Sequence, residues 1–198
     1  MADYQVIADA GDALSRVLWQ EILTEQTVRD LFNGDPQNIS LESPRALQDA
    51  NNTSVRLSIY LYRIVEDPYV KNRPLLPDGG RLQRRAPLTL DLFYLVTPLV
   101  GAPREQQLVL GKVMQIFHDR AVLEGSDLSA AMAAAGEEIR VVLNPVTLDE
   151  ASQIWQAIDM SYRLSVCYVV RVAIVDSMRS RATQPVIAHT GQFADVQA

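Results

Sequence analysis

The chain has 198 residues, a formal net charge of −6 and a sequence pI near 4.9. That length suits one domain, or one domain with a tail, and it is enough to bury a substantial core. The acidic balance argues against a nucleic-acid binder, because such proteins present a basic face to the phosphates.

The first predicted element is a helix over residues 7–22, which fades before a turn sequence at 33–36. A short strand is predicted at 38–42, and Pro44 is expected to end it because proline disfavours strand pairing. The predicted helix carries one apolar stripe, made of Ile7, Ala10, Leu14, Val17, Leu18 and Ile22.

Residues 55–66 alternate between apolar and polar side chains, which is typical of a half-buried strand. Tyr60 and Tyr62 fall on its polar face and Tyr94 on a neighbouring strand. These aromatic residues fit a cross-strand ladder or, alternatively, an interface anchor. The predicted apolar row consists of Val55, Leu57, Ile59, Leu61 and Val65.

A long polar connection follows and runs to about residue 86. It contains the basic trio Arg81, Arg84 and Arg85. So long a loop within a compact domain is usually functional or disordered. The trio therefore has two readings, a docking site for an acidic rim on a partner or a solvated loop.

The rest of the chain alternates strands with helices. Strands are predicted at 87–97, 138–143 and 163–175, and a helix starts at Pro103 and ends near 118–120. An alanine-rich run at 130–135 predicts a short helix, stopped by Gly136. Thr147 and Glu150 form a capping box, which predicts the start of one more helix.

These elements predict a single α/β (α+β) domain over residues 1–177. Its strands alternate, so we expect a mixed or largely antiparallel sheet with helices packed mainly on one side. From Ser177 onward the chain becomes polar, and residues 178–198 are interpreted as a C-terminal arm. Its weak apolar pattern at Val186 and Ile187 marks a candidate contact.

The sequence offers no set of residues for catalysis, cofactor binding or metal binding. His118 and His189 lie far apart, whereas a metal site needs several convergent ligands. Cys167 stands within an apolar strand pattern, so a packing role is favoured over a nucleophile. No apolar stretch reaches the roughly 18 residues of a membrane helix, and we expect no membrane insertion.

An ordered set of motifs carries a family resemblance: "LDLFYLVTP", then a helix with "LG" and "QIFHD", then "LNPVTLDEASQIW" and "YRLSVCYVVRV". Together with the earlier segments they span about residues 5–177. The chain resembles the tube-terminator, or cap, proteins of extracellular contractile injection systems of the antifeeding-prophage type, which are similar to phage tail terminators.

The resemblance implies a structural protein and not an enzyme. It implies a ring, normally of six subunits, that ends the inner tube and anchors the distal sheath. The implied partners are other copies of this chain, the inner tube protein and the sheath protein. Assembly would take place in the cytoplasm, within a particle that can be released from the cell.

Two other readings stay open. One is the tail terminator or head–tail joining protein of a true contractile phage, which sequence barely separates from the first. The other is a regulatory α/β domain that binds a small ligand, for which an apolar pocket with convergent polar groups would be needed.

Overall fold

A six-stranded mixed sheet forms the centre of this computed structural model, which describes residues 4–67, 76–78, 82–84, 88–175 and 180–182. The strands are β1 (Ile39–Ser40), β2 (Leu57–Glu66), β3 (Leu76–Asp78), β4 (Leu82–Arg84), β5 (Leu88–Pro98), β6 (Val122–Glu124), β7 (Glu138–Leu143), β8 (Val166–Val175) and β9 (Ser180–Ala182). The large sheet has the order β1-β2-β5-β8-β7-β6, and only β1 and β2 run parallel. A small antiparallel sheet has the order β3-β4-β9.

Helices cover both faces of the large sheet, but unequally. In the described part of the chain they are α1 (Val6–Ile22), α2 (Gln26–Leu31), α3 (Pro44–Asp49), α4 (Pro103–Asp119), α5 (Ala130–Ala134) and α6 (Leu148–Ala157). Buried residues of α1, α2, α4 and α5 share the larger core with one sheet face, whereas α6 packs on the other face. The expected mixed α/β domain, with helices mainly on one side, is confirmed.

The larger core follows from the periodicities of α1 and β5. The predicted stripe of α1 is buried almost completely, because residues three and four apart share one helix face. Alternate residues of β5, among them Leu92 and Val96, point towards the same core. Each such aliphatic side chain, once removed from water, contributes about 1.5–3 kcal/mol to folding.

A smaller core lies on the opposite sheet face, beneath α6. Leu95 of β5, Cys167 of β8 and Trp155 of α6 form its buried centre. The capping box predicted for α6 is present. The Glu150 N–H donates to the Thr147 hydroxyl at 3.2 Å, and the Thr147 N–H donates to the Glu150 carboxylate at 2.7 Å. The burial of Cys167 confirms its predicted packing role.

A β-bulge in β2 overturns the predicted apolar row of that strand. Leu61 is opposite Tyr94 but Arg63 is opposite Phe93, so Tyr62 is an extra residue in the ladder. An extra residue moves all later side chains to the other face. Val65 therefore lies opposite Asp91, away from the face that Ile59 and Leu61 share.

The prediction of a cross-strand tyrosine ladder is also wrong. Tyr94 belongs to the larger core, whereas Tyr62 packs edge-on against Phe93 with the ring centroids 6.2 Å apart. Tyr60 lies opposite Leu95 and not opposite another tyrosine.

Several element boundaries differ from those predicted. Ser43-Pro44 begins α3: the Ser43 hydroxyl accepts a hydrogen bond from the Ala46 N–H at 3.1 Å, and proline suits the first helical turn. A separate helix, α2, follows α1, and β8 begins at Val166. The connection predicted to be a loop contains β3 and β4.

Candidate functional site

Most of strand β2 lies on an open edge of the large sheet. β1 pairs only with Leu57 and Ser58, although β2 continues to Glu66. Among the described residues, no strand pairs with the rest of β2 on the side away from β5. An unpaired strand edge of this length is a template for another strand.

The hydrogen bonds at the two ends of β2 determine which backbone groups face the open side. The Leu99 N–H donates to the Arg56 carbonyl at 2.8 Å, and the Asp67 N–H donates to the Thr89 carbonyl at 3.0 Å. In an antiparallel ladder, successive residues alternate between the partner strand and the opposite side. The backbone groups that face the open side include those of Leu61 and Ile64.

Beside this edge, on the sheet face that carries α6, lies a groove of about 410 Å³ that Tyr62, Arg63 and Phe93 help to line. The Arg63 guanidinium stands 5.1 Å from the centre of the Phe93 ring, a cation–π contact. Burial, with a smaller contribution from Cys167, raises the pKa of Tyr62 to about 12. A neutral phenol therefore stays beside the β2 edge throughout the physiological pH range.

A second, shorter open edge lies at the end of β7. The Val141 N–H donates outward to the Ala121 carbonyl at 2.8 Å, and the Asn144 N–H donates inward to the Cys167 carbonyl at 2.8 Å. By the same alternation, the N–H of Leu143 faces outward. An adjacent groove of about 550 Å³ is mostly apolar; Met114, Phe117, Val142 and Tyr168 are among its lining residues.

Only one of the five contact residues predicted from sequence lies within the described part of the chain. Arg84 ends β4, where its backbone lies opposite Leu76 and Ser180. Arg81, Arg85, Val186 and Ile187 lie outside the described residues, so they remain predictions.

The sequence analysis missed the β2 edge, although two signals pointed to it. Arg63 interrupts the apolar alternation of β2, and a charged residue late in a strand is typical of an edge. A long strand that follows a very short one is a second, weaker signal.

The described residues offer little for chemistry. No group of three or more histidine, cysteine, aspartate or glutamate side chains among them could hold a metal ion. Burial raises the pKa of the Cys167 thiol, which disfavours the nucleophilic thiolate. None of the helices in the described ranges has both the length and the apolar character that a membrane span requires.

Two solved structures are similar to this chain. The first is a cryo-electron microscopy structure of the sheath/tube terminator, in the extended state, of the extracellular contractile injection system PVC. Its TM-score is 0.62 and its identity 18%, over 100% of this chain and 66% of that chain. The second is the tube-terminating cap of the anti-feeding prophage. Its TM-score is 0.46 and its identity 21%, over 69% of this chain and 48% of that one.

This chain therefore spans less than two thirds of the length of either solved chain, although the alignment with the first covers 100% of this chain. No curated protein matches it significantly. A family model described as the Pvc16 N-terminal domain matches residues 10–189, which is most of the chain. The resemblance indicated by the sequence motifs is thereby confirmed, and the chain belongs to the Pvc16 N-terminal domain family.

Proposed function

We propose that this chain is a structural, non-enzymatic cap of a contractile injection system, which ends the inner tube and anchors the distal sheath. The observation that carries this proposal is the fold that the entire chain shares with a sheath/tube terminator, at a TM-score of 0.62. The open β2 edge supports it, because capping requires a surface that holds neighbouring subunits.

The cap is a ring of identical subunits, six in the form proposed here, seated on the last tube ring and in contact with the last sheath ring. Closed rings use heterologous contacts, in which one patch of a subunit meets a different patch of its neighbour. The subunits assemble in the cytoplasm, and the particle that they complete is released from the cell.

The neighbouring subunit supplies a strand to the β2 edge. In this proposal that strand comes from residues 185–196 of the C-terminal arm, with Val186 and Ile187 as its apolar contacts. Strand addition derives affinity from main-chain hydrogen bonds and selectivity from alternate side chains. The loop with Arg81, Arg84 and Arg85 makes a second contact with an acidic rim on a partner.

Removal of the gene tests the cap function directly. We expect particles made without this chain to have overlong or open-ended tubes, because nothing ends tube growth. Negative-stain electron microscopy of purified particles measures tube length and the presence of a terminal cap. Particles of normal length with normal caps would refute the proposed function.

Ile64→Pro tests the β2 edge. We expect the variant chain to fold but to cap poorly, giving a broad distribution of tube lengths. Proline removes an N–H that faces the open side, so no bond to β5 is lost, and its ring obstructs an incoming strand. The measurement is the tube-length distribution in particles that contain the variant, with circular dichroism to verify the fold.

Leu143→Pro is the matched control. Leu143 also directs its N–H outward, and the residue is 46% exposed, against 47% for Ile64. We expect Leu143→Pro to leave tube lengths normal. If Leu143→Pro disturbed capping and Ile64→Pro did not, the docking edge would be β7 and the β2 proposal would be wrong.

A further inference from the structure

A groove of about 810 Å³ lies between α3 and the segment that joins α6 to β8. Its volume lies within the range of roughly 300–1,000 Å³ that is typical of ligand sites. It does not overlap the β2 edge. Three arginines and several amide and hydroxyl side chains line it, among them Arg45, Arg56, Arg163, Gln48, Asn51 and Thr53.

The arginines give this groove a positive character that the protein as a whole lacks. Only Arg45 is paired: its guanidinium contacts the carboxylates of Asp49 at 2.9 Å and Asp159 at 3.2 Å. Within the described ranges, no carboxylate pairs with Arg56 or Arg163. The groove is therefore a basic site on a chain whose net charge is −6.

Arg56 carries a specific unsatisfied group. Its Nε atom is buried and has no hydrogen-bond partner among the described residues. A buried donor without an acceptor reduces stability. The Arg56 side chain also lines the groove, so a bound group can pair there with its guanidinium. A carboxylate matches this need, because it accepts charge-assisted hydrogen bonds from a guanidinium.

Hydrogen bonds within the protein already hold the walls of the groove in place, without a ligand. The Arg56 N–H donates to the Asn38 carbonyl at 2.7 Å, and the Arg56 carbonyl accepts from the Leu99 N–H at 2.8 Å. The Arg45 guanidinium also donates to the Asp159 carbonyl at 3.0 Å, which joins α3 to the end of α6. A preformed site loses less entropy when it binds.

We infer that this groove binds an acidic, extended peptide segment of a partner chain. Carboxylate side chains of the segment pair with Arg56 and Arg163, and Gln48 and Asn51 hydrogen-bond to its main chain. A nucleic acid is disfavoured because the chain as a whole is acidic, with a net charge of −6, and repels a polyanion. A short peptide carries few charges and exposes amide groups that suit the amide side chains lining the groove.

The experiment uses the full chain and a fluorescein-labelled peptide of repeating Glu-Ser-Asp. The comparison peptide has Gln-Ser-Asn repeats of equal length. Fluorescence anisotropy should show saturable binding of the acidic peptide, weakened by added salt, and little binding of the neutral one. Arg163→Gln should weaken binding by at least about fivefold, since charge-assisted hydrogen bonds are the stronger class.

Arg163 is exposed, so Arg163→Gln is expected to fold. Arg56→Gln is the second test, and it should also weaken binding of the acidic peptide. Arg140→Gln is the control, because it removes the same charge from β7, outside the groove. We expect it to leave the affinity unchanged. Equal binding of the two peptides, no saturable binding, or an Arg140→Gln effect as large as that of Arg163→Gln would each overturn the inference. None of these outcomes bears on the proposed cap function.

Discussion

Trp155→Ala is expected to lower the free energy of unfolding by about 3–5 kcal/mol, the usual range for removal of a buried aromatic side chain. Trp155 is 1% exposed and forms the centre of the smaller core with Leu95 and Cys167. Its indole N–H donates to the Ser165 hydroxyl at 3.2 Å. Truncation therefore leaves a cavity and also removes the contact that holds α6 on the sheet.

Urea denaturation followed by circular dichroism measures this loss, with the slope of the transition as a check that the unfolded state is unchanged. Leu148→Ala, on the same helix, is the control. Leu148 is 68% exposed, so its truncation should change stability by no more than about 0.5 kcal/mol. Equal effects of the two substitutions would mean that α6 does not cover the sheet as described.

The sequence predicted those parts of the fold that depend on local spacing. The stripe of α1 and the capping box of α6 involve residues three or four apart, and both are present. The alternation of β5 and β8 likewise needs only neighbouring residues. In each case the signal and the structure it specifies lie within the same short segment.

The bulge at Tyr62 could not be predicted in this way. It depends on how Leu61 and Arg63 align with Tyr94 and Phe93, about thirty residues away in the chain. Alternation in one strand does not specify the register of its partner. The predicted position of Val65 therefore failed, although the strand itself was predicted correctly.

The candidate surfaces depend on the same non-local information. Whether β2 is central or at an edge is decided by strand order, and the β1 pairing that leaves most of it open follows only from the fold. The basic groove joins Arg45 and Arg56, near α3, with Arg163, which precedes β8. Because these three arginines lie far apart in the chain, the sequence does not show them as a cluster. Arg81, Arg84 and Arg85 lie close together in the sequence and were therefore predicted as one.

Charged side chains join several segments of this domain, and one of these carboxylates is nearly buried. Arg120 joins three segments at the end of α4. Its guanidinium contacts the Glu21 carboxylate of α1 at 3.1 Å and the Asp127 carboxylate at 2.5 Å. Asp127 belongs to a 3₁₀ turn and is 8% exposed. A carboxylate so little exposed depends on its partner, because water cannot replace the lost charge.

Arg120→Met is therefore expected to lower the free energy of unfolding by about 2–4 kcal/mol, since it leaves the Asp127 carboxylate buried without its cation. Arg45→Met is the matched control. Arg45 also contacts two carboxylates, but these are 59% and 88% exposed, so water replaces the contact. We expect Arg45→Met to lower the free energy of unfolding much less than Arg120→Met does.

The double variant Arg120→Met/Asp127→Asn separates the effect of the Asp127 charge from the effect of Arg120 packing. With the carboxylate neutralised, no buried charge remains uncompensated, so the double variant should be more stable than Arg120→Met alone. Equilibrium unfolding of the four chains in a double-mutant cycle measures the coupling. A double variant no more stable than the single one would mean that Arg120 stabilises α4 through its packing and its contact with Glu21, and not through the charge of Asp127.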